Sequence, residues 1–221
     1  MKYCPYRPLR RPQAVPGGTR QIIYYFVLSI SMLRGTDVAR AAGIVTGGGV
    51  IAYPTETVYG IGSLATDVRA IRRVFSLKRR PETQPLSIAV SGIGMLKEVA
   101  RVEREDFIRR FLPGPVTVIL EKKDVLPDAL TAGSAYVGIR YPDHPVALAL
   151  IAMTGPIVST SANLHGEPDP VSADEVTVDV DYLLDGGRSR YAGPSTIVDL
   201  HAYRIVRKGV MYDEVYRYMH G

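Results

Sequence analysis

The sequence predicts an α/β (α+β) fold: a single-domain twisted mixed β-sheet flanked by helices and carrying antiparallel strand pairs. Short apolar runs of three to six residues, bounded by Gly or Pro, read as buried strands. Segments between them repeat apolar residues at helical spacing. Strands and helices alternate irregularly, with adjacent strand pairs late in the chain, which argues against a pure dinucleotide-binding order.

The regular pattern starts after residue 31. Thr36 or Asp37 can cap a helix in which Val38, Ala41, Ala42 and Val45 share a face, and Gly47 to Gly49 end it. Val50 to Tyr53 is a strand stopped by Pro54. The chain then passes through Thr55-Glu56-Thr57 and is expected to turn at Gly60 and Gly62. Thr66 or Asp67 can cap the next helix, whose Val68, Ile71, Val74 and Phe75 fall on one face. Lys78, Arg79 and Arg80 lie in or just past its last turn, where cations complement the helix dipole, and Pro81 forbids continuation.

Leu86 to Val90 reads as a strand, and Gly94 to Ala100 and Glu103 to Leu112 as helices, the second broken by Pro113-Gly114-Pro115. Val116 to Leu120 and Tyr136 to Tyr141 are the next strands. The helix from His144 to about Met153 is apolar on most sides and is expected to be buried. Pro156 to Ser161 runs into Ala162-Asn163, and Leu164 to Pro170 forms a loop. Tyr182 to Leu184, Ser195 to Leu200 and Tyr203 to Arg207 complete the strands, and Met211 to Met219 is a terminal helix.

A chain of 221 residues can bury one substantial core. It has no low-complexity block and no internal repeat. Net charge +5 and a pI near 9.3 favour anionic partners such as nucleotides or RNA. Cys4 is the only cysteine, so no intrachain disulfide or cysteine-based zinc site is possible, and a reducing, cytoplasmic setting fits. The four histidines lack metal-ligand spacing. Residues 1–31 form an Arg- and Pro-rich arm leading into the apolar Ile22 to Ile30. This imitates a secretory signal without a small-residue cleavage site and is too short to span a bilayer. We read 1–31 as an appended or mis-assigned leader, disordered or loosely docked, and 32–221 as a single folded domain.

Several motifs invite a function and most fail. Gly60-Ile61-Gly62-Ser63-Leu64-Ala65 imitates a dinucleotide fingerprint, but the helix begins only after Ala65, and cations stand where a ribose-binding acid is needed. No Walker A lysine is present. Ser159-Thr160-Ser161-Ala162-Asn163 fails as a nucleophile elbow but suits a set of neutral donors for phosphate or ribose.

Taken in order, PTETVYGIG, Lys78-x-Arg80-Pro81, FLPGPVT, VGIRYPDHP, STSAN, GGR with GPSTIVD, and IVRKG resemble the segments of the YrdC-like family of threonylcarbamoyl-AMP synthases, over about Leu33 to Gly209. The resemblance implies a twisted mixed sheet with an open, basic concave face. It also implies synthesis of L-threonylcarbamoyl-AMP from L-threonine, bicarbonate or CO2, and ATP, for threonylcarbamoyladenosine in tRNA. By match to the family motifs, Lys78 and Arg80 (KxR) and Ser161 and Asn163 (SxN) are expected on ATP, with Thr117, Ser195 and Arg207 completing the nucleotide side. Thr55 is expected on threonine, with Tyr59 walling its pocket, Arg140 gripping the carboxylate and Thr160 on either side. Mg2+ is expected to come with the ATP phosphates, with few protein ligands. A downstream threonylcarbamoyl-transferase complex and tRNA are possible partners, and no membrane is. The alternatives are a non-catalytic double-stranded RNA or tRNA-binding module and an enzyme handling carbamoyl-adenylate.

Overall fold

The computed structural model describes residues 32–221. The expectations for 1–31 lie outside the described residues. Elements follow in chain order: β1 (Arg34–Gly35), α1 (Val38–Thr46), β2 (Ile51–Tyr53), β3 (Gly60–Gly62), α2 (Val68–Lys78), β4 (Ser87–Ala89), α3 (Ile93–Val99), α4 (Glu105–Phe111) and β5 (Val116–Glu121). Then come α5 (Asp128–Thr131), β6 (Tyr136–Arg140), α6 (Pro145–Thr154), β7 (Ile157–Ser161), β8 (Tyr182–Leu184), β9 (Thr196–Asp199), β10 (Arg204–Arg207) and α7 (Tyr212–His220). The strands form one ten-stranded sheet in the order β1-β8-β2-β3-β7-β4-β6-β5-β9-β10. β1/β8, β2/β8, β4/β6 and β5/β9 pair in parallel, while β2/β3, β3/β7, β4/β7, β5/β6 and β9/β10 are antiparallel. The expected mixed sheet with antiparallel pairs is the one observed.

Strand alternation sorts side chains to the two faces. Val50 and Ala52 join Ile61, Ile71, Val74, Phe75, Phe107, Val118, Ile139 and Val198 in the larger core. Ile51 and Tyr53 face the other way, into a smaller core with Ala41, Val45, Leu150 and Ile151 from α1 and α6. That second core covers only part of its face. Beyond it, alternate residues of β5, β6 and β9 line the cavity.

The caps resolve the sequence ambiguities. Asp37 accepts from Arg40 N, and Asp67 from Arg69 N and Ala70 N, so Asp rather than Thr starts both helices. Arg79, the middle residue of Lys78-x-Arg80, ends α2 in the left-handed region at φ 51°, its N–H returning to Phe75 and Ser76 carbonyls. Its side chain is exposed.

Two expectations are corrected. Gly60 and Gly62 do not turn the chain; they belong to the buried strand β3, paired with β2 and β7. Glycine suits both positions because the Tyr53 ring lies across them: a Cβ at either would press on a Tyr53 ring atom at 3.1–3.2 Å, so the ring would have to give by a few tenths of an ångström. Nor is α6 buried all round. Ala147, Leu150 and Ile151 pack inward, whereas Met153 is 55% exposed. A helix made almost wholly of apolar residues has no periodic contrast from which to read its inner face.

Candidate active site

This sheet face floors a cavity of about 430 Å³, within the range of small-molecule sites. Alternate residues of each strand supply the floor: Tyr136, Gly138 and Arg140 from β6, Thr117 and Ile119 from β5, Ile197 from β9, Ser87 from β4, and Ser159 and Ser161 from β7. Register joins them, with Arg140 opposite Thr117 and Thr117 opposite Ile197. Gly138 keeps the floor low, since a Cβ there would stand 2.6 Å from Ser87 Oγ.

Thr55, Arg80, Thr117, Arg140, Thr160, Ser161, Ser195 and Arg207, all singled out in the sequence, line this one cavity. At one end Thr117 Oγ1 and Ser195 Oγ lie 2.7 Å apart, and Arg207 Nη2 donates to Ser195 Oγ at 3.1 Å and to Ser195 O at 2.9 Å. Two hydroxyls and a guanidinium thus form a donor group suited to anionic oxygens. Arg80 hangs over the neighbouring wall, its Nη2 donating to Pro85 O at 3.0 Å. Burial lowers the pKa of Arg80 and of Arg207, so each benefits from an anion.

Arg140 is 7% exposed and pairs with Glu56, which is 1% exposed, at 2.5 Å. Its Nη1 donates to Thr57 Oγ1 at 3.1 Å. Among the described residues, Arg140 Nε and Glu56 Oε2 are buried without a hydrogen-bond partner. The guanidinium is therefore fixed from behind while it lines the cavity. Thr57 Oγ1 lies 2.9 Å from Thr55 Oγ1, which also donates to Val58 O at 2.6 Å. Sequence reasoning missed Glu56, although it sits inside the PTETVYGIG motif.

Lys78, Asn163 and Tyr59 do not line the cavity. Lys78, 2% exposed, lies behind the wall: its Nζ donates to Ser161 O, to Asn163 O at 2.7 Å and to Asn163 Oδ1 at 3.0 Å. Asn163 in turn takes 2.6 Å from Ser161 Oγ and donates to Glu167 O at 2.5 Å. Of the four residues expected on ATP, only Arg80 and Ser161 line the cavity; Lys78 and Asn163 form a hydrogen-bonded unit with Ser161 behind its wall. Burial, with Arg80 second, lowers the Lys78 pKa to about 8.

Tyr59 is a correction. Fully buried, it points its hydroxyl away from the cavity, donating to Gly187 O at 2.7 Å and accepting from Gly186 N at 3.1 Å. Tyr59→Phe is expected to lower stability by about 1–3 kcal/mol, the cost of orphaned backbone groups, with no change in ligand affinity at the cavity. Chemical denaturation alongside calorimetry separates the two effects.

Among the described residues, no three His, Cys, Asp or Glu side chains gather as a metal cluster, and no helix is long and apolar enough to cross a membrane. Similarity to known proteins extends over the residues that build this cavity. A threonylcarbamoyl-AMP synthase of Pyrococcus abyssi is 40% identical over 168 residues, covering 72% of this chain and 49% of the relative. A second, from Pseudomonas putida, is 35% identical over 185 residues, covering 80% of this chain and 100% of the relative. The crystal structure of P. abyssi Sua5 complexed with L-threonine superposes with a TM-score of 0.79 at 35% identity, covering 86% of this chain and 60% of that one. The chain thus spans about half the length of some curated relatives and all of others. The family model for Sua5, YciO and YrdC, described as "Telomere recombination", matches residues 43–209, about three quarters of the sequence. With a family model matched over three quarters of its residues and relatives 35–40% identical over the same region, the chain belongs to the Sua5/YciO/YrdC family.

Proposed function

We propose that this protein makes L-threonylcarbamoyl-AMP from L-threonine, CO2 or bicarbonate, and ATP, releasing pyrophosphate, as a nucleotidyltransferase serving tRNA threonylcarbamoylation. The observation that carries this reading is that one cavity holds Arg140 in a buried, pre-oriented pair and also holds Arg80, Arg207, Thr117 and Ser195 as an anion-binding group. An amino acid carboxylate and a polyphosphate therefore have separate cationic partners within reach of each other. The names of the relatives support the same substrate and speak for a synthase rather than a non-catalytic RNA-binding module.

In this reading Arg140 grips the threonine carboxylate, with Thr55 and Thr160 beside it. The neutral amine of threonine adds to CO2, forming the N–C bond and losing one proton. A carbamate oxygen then attacks the α-phosphorus, and the bond to the β-phosphate oxygen breaks as pyrophosphate leaves with the electron pair. Arg80 and Arg207 offset charge on the phosphates, Ser161, Ser195 and Thr117 hold their oxygens, and Lys78 and Asn163 keep that wall in place. Mg2+, when bound with ATP, supplies charge neutralisation at the phosphates. No covalent link to the protein is needed, so proximity and charge placement provide the acceleration.

The test is to incubate the protein with ATP, bicarbonate and threonine and to measure pyrophosphate and the adenylate, with serine as control. Threonine-dependent formation of both is expected; pyrophosphate release that ignores threonine would reject the proposal. A cytoplasmic location and transfer of the unstable adenylate to a downstream transferase complex are further parts of this reading.

A further inference from the structure

Among the described residues, the cavity wall contains three arginines and a single carboxylate, Asp169. Asp169 stands on the nucleotide side, near enough for its charge to bias Lys78 and Arg207. Those cations are nevertheless engaged elsewhere, Lys78 with Ser161 and Asn163, and Arg207 with Ser195. Among the described residues no side chain hydrogen-bonds the Asp169 carboxylate or pairs with it within 4 Å. Its place is fixed all the same. Pro168 and Pro170 flank it, the Pro170 carbonyl accepts from Tyr59 N at 2.7 Å, and Glu167 O accepts from Asn163.

A polyphosphate gathered by Arg80 and Arg207 would bring negative charge against this carboxylate, and like charges at short range repel unless a cation lies between them. Mg2+ is held in nucleotide sites by one or two carboxylates together with substrate phosphates, and a lone, unpaired, hard oxygen donor on the phosphate wall meets that requirement. Resting on the synthase reading, we infer that Asp169 is the protein's carboxylate ligand to the divalent cation that accompanies ATP.

The test is a binding cycle: calorimetry of ATP against the wild type and Asp169→Asn, in excess Mg2+ and in EDTA, with electron paramagnetic resonance of bound Mn2+ as a second readout. Metal-free ATP is expected to bind Asp169→Asn at least as tightly as the wild type, because a like charge has been removed. The gain in affinity on adding Mg2+ should shrink by at least about tenfold, the scale of losing a group that supports a metal. The Mn2+ signal in the presence of ATP should change between the two proteins. An equal Mg2+ gain in both, or an equal loss of affinity with and without metal, would overturn the inference; the latter assigns Asp169 to the sugar hydroxyls. A wild type that binds ATP under neither condition overturns the synthase reading, and this inference with it.

Discussion

Arg140→Ala is expected to abolish measurable threonine binding and to weaken the fold at the same time. The first effect follows from removing the cavity-lining cation proposed to grip the threonine carboxylate. The second follows from Glu56, which sits 1% exposed with Arg140 as its ion-pair partner and one oxygen already unpartnered. Leaving that charge alone in the interior should cost about 3–5 kcal/mol, the usual cost of breaking a buried pair from one side. Adding Glu56→Gln to Arg140→Ala should recover much of the stability, because no unpaired charge remains, and none of the threonine binding. Urea unfolding and threonine calorimetry on the two variants read these effects separately. Unchanged threonine affinity in a folded Arg140→Ala protein would remove Arg140 from the site.

Lys78→Ala is expected to lower adenylate formation by roughly 10²-fold or more, the scale of losing a preorganised charge or donor. The route differs from simple loss of a phosphate contact. Nζ ties together the backbone of Ser161 and Asn163, so its removal releases the wall that carries Ser161 and leaves carbonyls without their donor. ATP affinity should therefore fall along with turnover, and hydrogen exchange should rise over residues 159–167. The pH dependence provides a control. Burial holds the folded Lys78 near 8, below its ordinary 10.5. The unfolded chain thus binds more protons between those values, and wild-type stability gains a rising component as pH climbs from about 8 to 10.5, fully present only above that window. Lys78→Ala should lack this rise. Wild-type rates of threonine-dependent pyrophosphate release from the variant would contradict the assignment.

Much of this architecture can be read from residue patterns because the floor strands obey period two. In Tyr136-Val137-Gly138-Ile139-Arg140, the second and fourth residues enter the core and the others face the cavity; in Val116 to Leu120 the phase is reversed, with Thr117 and Ile119 facing the cavity. Helix faces with mixed composition were equally legible, α2 above all. What could not be read depends on partners far away in sequence. Glu56 and Arg140 are 84 residues apart, and nothing local marks Glu56 as an ion-pair partner. Tyr59 lies one residue from the cavity-lining Val58 and Gly60, and only the strand pairing turns its ring to the other side. Gly60 and Gly62 carry ordinary turn chemistry, and the large ring that crowds them in a strand comes from Tyr53 on the paired strand β2. Lys78 reads as a cation free to meet phosphate, whereas its acceptors lie 83 to 85 residues downstream.

The strand order has a bearing on synthesis of the chain itself. β2 finds its parallel neighbour only about 130 residues later, and the donor group proposed to take phosphates is completed by Ser195 and Arg207 late in the sequence. A ribosome-bound intermediate short of residue 207 lacks Arg207 from that group, so under the proposed function ATP is expected to stabilise only chains that extend past it. Contacts this distant in sequence also slow the search for the native state. Added nucleotide should accordingly retard unfolding of the whole domain while leaving early refolding events untouched.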